Sequence, residues 1–93
     1  MLGGGQLGKM FTAAAQQMGY RVLVVDPDPL APAAQIADTH LQLAWDHPAL
    51  VDEVAARCAA VTTEFENVPA EVLQALAARI PTRPAGESPK NVF

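Results

Sequence analysis

The residues of this chain that could do chemistry fall in separate short runs. The first is Gly3-Gly4-Gly5-Gln6-Leu7-Gly8, where Gly3, Gly5 and Gly8 fit the G-x-G-x-x-G spacing of a nucleotide-binding loop. Without Cβ atoms, such a loop brings main-chain N–H groups and a helix N-terminus against a ligand. The same glycines suit a tight strand-to-helix turn, and a lone motif of this kind does not name its ligand. The second is Asp26, 18 residues beyond Gly8. An acid there binds ribose hydroxyls in a nicotinamide-binding domain. Equally, it can start the turn of Pro27-Asp28-Pro29-Leu30-Ala31-Pro32, whose prolines pre-set φ and remove donors.

The third run, Thr63-Glu64-Phe65-Glu66-Asn67, is the most informative. In an extended chain Glu64 and Glu66 point to one side and Phe65 to the other. Paired acids accept hydrogen bonds from amines and sugar hydroxyls and repel a pyrophosphate. The plainer alternative is a solvated strand end with Asn67 capping the next helix. Gln6 bears on the same choice, because an amide both donates and accepts, whereas dehydrogenase loops commonly carry a small or apolar residue there. Gln6 with Glu64 is a pair suited to a polar small molecule. His40 and His47 lack partners at metal-ligand spacing, and no Ser/His/Asp set can be assembled, so no catalytic residue and no metal site are assigned. Cys58 stands alone in Val54-Ala55-Ala56-Arg57-Cys58-Ala59-Ala60-Val61, reads as packing, and fits a reducing cytoplasm.

These residues need a scaffold, and the chain spells one out. Met1-Leu2 is the stub of a strand. Leu7, Met10, Phe11, Ala14 and Met18 fall at helical spacing over 6–18, and Gly19 closes that helix. A buried strand over Arg21–Val25, a short helix over Ala33–Ala37 and a strand over His40–Ala44 follow. A helix capped by Asp46, with Pro48 early and Leu50, Val51, Val54 and Cys58 on one face, comes next; Glu53 and Arg57 pair on its surface. Then come a strand over Ala60–Glu64, a helix opened by Pro69 with Leu73, Leu76 and Ile80 on one face, and an extended Pro81–Pro84. Strands alternating with helices predict a Rossmann-like α/β fold, an open parallel sheet with helices on both faces. Its ligands bind beyond the carboxyl ends of the strands, where all three runs land.

Composition narrows the class of partner. With 93 residues there is one small domain, and with 51% hydrophobic residues a packed core. A net charge of −4 with dispersed Lys and Arg argues against nucleic acid and anionic membrane surfaces. No apolar run approaches a membrane span. The domain is expected over residues 1–84. Residues 85–93 form an atypical, aperiodic tail, and with the two-residue first strand they suggest truncation.

Taken together, Leu2–Met10, Gly19–Asp38 and Val61–Leu73 resemble the N-terminal pre-ATP-grasp domain of the N5-carboxyaminoimidazole ribonucleotide synthetases. These are ATP-grasp ligases of purine biosynthesis, also known as the phosphoribosylaminoimidazole carboxylase ATPase subunit. The resemblance implies a part in the ATP-dependent carboxylation of 5-aminoimidazole ribonucleotide by bicarbonate, by way of carboxyphosphate. It implies Gly5, Gln6, Leu7, Glu64, Glu66 and Asn67 as substrate-binding residues. It also implies ATP and Mg²⁺ bound by polypeptide outside this chain, a homodimeric full-length enzyme and a cytoplasmic location, this chain alone being inactive. The alternatives are an NAD(P)-binding oxidoreductase domain and a non-catalytic remnant.

Overall fold

The computed structural model describes residues 1–63 and 68–84. Helix α1 (Gln6–Gln17) leads to strand β1 (Leu23–Val25), a 3-10 helix (Pro32–Gln35) and strand β2 (Thr39–Leu41). Helix α2 (Leu50–Arg57), strand β3 (Val61–Thr63), helix α3 (Ala70–Ala77) and strand β4 (Thr82–Pro84) follow. The strands pair in parallel, β1 with β2 and β3 with β4. Leu2 joins the two pairs by parallel bridges to Val25 and to Thr63. The spatial order is therefore β2-β1-Leu2-β3-β4.

Alternation along the strands sorts side chains to two faces. Met1, Val22 and Val24 pack with Ala15 of α1 and Ala33 of the 3-10 helix. Leu2, Val25 and Val61 pack with Leu50 and Val54 of α2 and Val72 and Leu76 of α3. Helices thus cover both faces, as the expected Rossmann-like class requires. Asp38 accepts the Val22 N–H at 2.7 Å and Gln16 Nε2 at 3.2 Å, tying the end of α1 to the entry of β2. These bonds hold the Asp38 carboxyl below its usual range.

Helix α1 departs from the expected packing. Its buried residues are Gly8, Thr12 and Ala15, while Leu7, Met10 and Met18 are 47%, 69% and 58% exposed. Only Phe11 of the anticipated stripe packs on the core. The physical reason is close approach: small side chains let the helix lie against the alanines and valines below it. Thr12 Oγ1 satisfies itself on the Gly8 carbonyl at 2.7 Å. Gly19, at φ +92°, closes the helix as expected, in a backbone region that favours glycine.

Helix α2 also starts later than anticipated. Asp46 does not cap it; the N-cap is Ala49, without a side-chain hydrogen bond. His47 Nδ1 accepts the Ala49 N–H at 3.0 Å, so the turn before the helix is organised by the histidine. The pair Glu53–Arg57 forms at 3.8 Å on the surface, where such pairs contribute little. Cys58 packs against the core at the end of α2, and burial pushes its thiol pKa up.

At the amino ends of the strands, opposite the ligand edge, a cavity of about 430 Å³ opens between Val22, Leu23, Ala60 and Thr62. The Thr62 hydroxyl is buried without a partner among the described residues. The Met1 ammonium, also at the cavity, donates to the Leu23 carbonyl at 2.7 Å. Burial lowers its pKa from 8.0 to about 6.

Two outcomes follow from this packing. Leu76→Ala, at a fully buried site, is expected to cost about 2–5 kcal/mol. Met10→Ala should stay within about 0.5 kcal/mol in urea unfolding. The second concerns pH. Between the folded value near 6 and the ordinary 8.0 of the Met1 ammonium, the unfolded chain holds the extra proton, so stability rises with pH across that window. The gain is on the order of 2–3 kcal/mol, complete above the unfolded value and lost below the folded one. Arg21, Arg57, Asp38 and Cys58 also line the cavity; the Asp38 carboxyl is held below its usual range and the Cys58 thiol is pushed above its own, both away from that window. Urea unfolding at closely spaced pH values measures the step, and acetylation of the Met1 nitrogen should abolish it.

Candidate functional site

The carboxyl ends of the strands bring the glycine loop and Asp26 to one edge. Leu2 is bridged to both Val25 and Thr63. The residues directly after these three are Gly3, Asp26 and Glu64. Glu64, Glu66 and Asn67 lie outside the described residues. The register nonetheless ends β3 beside the start of the glycine loop.

The loop is shaped by its own hydrogen bonds. Gly3 has φ +94°, a conformation that disfavours a Cβ, and its N–H donates to the Val25 carbonyl at 2.9 Å. The Gly4 carbonyl accepts the Ala33 N–H at 2.7 Å. Gly4 is packed so tightly that a Cβ there would lie 2.8 Å from Ala31 Cβ and 3.3 Å from Asp26 Cβ. Gly5 is the N-cap of α1, extended and without a side-chain cap. The first turn of a helix leaves its N–H groups without intrahelical partners, and α1 has no acidic residue there. Gln6 and Leu7 are exposed at this turn, so an amide side chain and an apolar side chain stand side by side at the head of α1. Lys9 is exposed one turn further along.

Asp26 is not placed as a nicotinamide-binding acid. Its Oδ2 accepts the Gly4 N–H at 2.8 Å and its Oδ1 the Asp28 N–H at 2.9 Å. The second bond is the Asx turn that the proline-rich run anticipated. Both oxygens therefore serve the protein's own backbone, and the turn-starting reading of Asp26 is the one the structure takes. Behind it, His40 Nε2 lies 2.9 Å from the Asp26 carbonyl. A carbonyl only accepts, so this nitrogen carries the proton. The sequence reading overlooked Gly4, Ala33 and His40. The small residues after Pro29 and a histidine in mid-strand were the available signals, and neither declares its partner.

Comparison with known proteins decides the family. The ribonucleotide synthetase preATP-grasp domain model matches residues 1–90. The chain belongs to this family. An N5-carboxyaminoimidazole ribonucleotide synthase from Staphylococcus saprophyticus is 44% identical over 79 residues, covering 85% of this chain and 21% of the relative. The crystal structure of N5-carboxyaminoimidazole synthetase from Staphylococcus aureus superposes with a TM-score of 0.81 at 37% identity, covering 87% of this chain and 22% of that one. The same enzyme complexed with ADP gives 0.80. The chain thus spans about a fifth of the length of these relatives. At Gly4 the glycine loop has no room for a side chain. Gly4→Ala should cost about 1–3 kcal/mol, because Ala31 Cβ, fixed to the backbone, cannot swing aside; urea unfolding monitored by circular dichroism reads this loss.

Proposed function

We propose that residues 1–84 are the N-terminal substrate-binding domain of an ATP-dependent ligase. The reaction carboxylates 5-aminoimidazole ribonucleotide with bicarbonate to N5-carboxyaminoimidazole ribonucleotide in purine biosynthesis. The observation that carries this reading is the double bridge of Leu2, which starts the glycine loop beside the end of β3, in a chain whose relatives bear that enzyme's name. In this reading Gly5, Gln6 and Leu7 meet the ribonucleotide from α1, and Glu64, Glu66 and Asn67 meet it from the segment after β3. A neutral amide and acids suit an aminoimidazole and ribose hydroxyls. The 5′-phosphate asks for cations, and Lys9 is the basic residue near the loop; further Arg or Lys come from the rest of the enzyme. ATP and Mg²⁺ are held there as well, and the S. aureus relative's structure with ADP supports a nucleotide site in the whole protein. The complete ligase is a cytoplasmic homodimer.

Asp26 speaks against the oxidoreductase alternative, since its carboxylate is already engaged by Gly4 and Asp28. The test is made in the complete ligase carrying this domain. ADP formation should require both aminoimidazole ribonucleotide and bicarbonate. Gln6→Ala should raise the KM for the ribonucleotide about tenfold, as expected for loss of one or two hydrogen bonds. ADP formation indifferent to the ribonucleotide would sink the proposal.

A further inference from the structure

The glycine loop does not stand on its glycines alone. Each main-chain group of Asp26 is anchored: its N–H reaches the Leu41 carbonyl at 3.3 Å and its carbonyl takes the His40 Nε2–H at 2.9 Å. The side chain, held this way by β2, reaches across to the Gly4 N–H at 2.8 Å, while Gly4 in turn accepts from Ala33 at 2.7 Å. A carboxylate with two main-chain donors makes stronger hydrogen bonds than a neutral acceptor. It also stands just ahead of the N-terminus of α1, where negative charge is favoured. The position that an incoming anion's oxygen would take against the Gly4 amide is occupied by Asp26 Oδ2.

We propose that Asp26 is the positioning residue of the glycine loop, an internal anion that takes the Gly4 amide and so aims the Gly5–Leu7 turn at an uncharged part of the ligand. The geometric half of this rests on the hydrogen bonds alone. The ligand half rests on the ribonucleotide reading above, and assigns the loop to the aminoimidazole and ribose side of the molecule. The phosphate lies elsewhere. Asp26 touches no substrate; it acts through Gly4, with His40 and Leu41 as its supports.

The test uses the ¹⁵N-labelled chain. In the wild type, the Gly4 amide, bonded to Asp26 Oδ2, should be protected from exchange. Asp26→Asn keeps an acceptor oxygen and should keep the Gly4 amide protected from exchange. Asp26→Ala should expose that amide while Val24, Val25 and Leu76 stay protected. In the complete ligase, the KM for aminoimidazole ribonucleotide should rise about tenfold in Asp26→Ala and be largely restored in Asp26→Asn, the loss matching that of one hydrogen bond. A Gly4 amide that stays protected in Asp26→Ala overturns the positioning role. An unchanged KM for the ribonucleotide in Asp26→Ala with Gly4 exposed overturns the ligand half. A complete ligase whose ADP formation ignores the ribonucleotide counts against the proposed function, while Gly4 exchange in Asp26→Ala still decides the role of Asp26.

Discussion

Leu2 occupies the only place among the described residues where the two strand pairs meet. Its N–H donates to the Thr62 carbonyl at 2.9 Å, and the Val25 N–H donates to the carbonyl of the preceding Met1 at 2.9 Å. Its side chain is fully buried with Leu50 and Leu76, a burial worth about 1.5–3 kcal/mol. The half carrying α1 and β2 and the half carrying α2, α3 and β4 are registered to each other through this residue. A shift by one position would turn Met1 and Leu2 to the wrong faces and would carry the glycine loop away from the end of β3. The placement of the glycine loop against Asp26 and the end of β3 is thus set by a strand too short to be stable by itself.

From that anchor the site is built by main-chain hydrogen bonds more than by side-chain charge. Gly3, Gly4 and Asp26 exchange bonds with one another's neighbours, and α1 begins without an acidic first turn. The outcome is a loop whose exposed side chains are a neutral amide and an aliphatic group, with the Asp26 carboxylate bonded to its own backbone.

The alternation of strands and helices was legible because β-branched runs such as Val22–Val25 and helical spacing such as Val72 with Leu76 report burial directly. Strand lengths were overestimated: the reading of Arg21–Val25 became Leu23–Val25, since hydrophobicity marks burial beyond the last ladder bond. The face of α1 was misread for a related reason. Periodicity weighs large apolar residues, whereas a helix lying close to a sheet is specified by small ones. Asp46 looked like a cap by type and position, but a histidine one residue later supplied the acceptor. At the site, the glycine loop and its location were legible. The engagement of Asp26 by Gly4 was not, because it joins residues 22 apart in sequence whose meeting depends on the sheet register.

The stripe of Gly8, Thr12 and Ala15 under α1 has an evolutionary consequence. Any enlargement at these positions lifts the helix, and the glycine loop at its head moves with it, so drift in this domain is confined where the side chains are smallest. Leu7, Met10 and Met18, conspicuous in the sequence, are exposed and leave the helix-to-sheet spacing untouched when they change. Divergent copies of the domain can therefore differ at Met10 and Met18, hydrophobic though these are, and still hold the same loop in the same place.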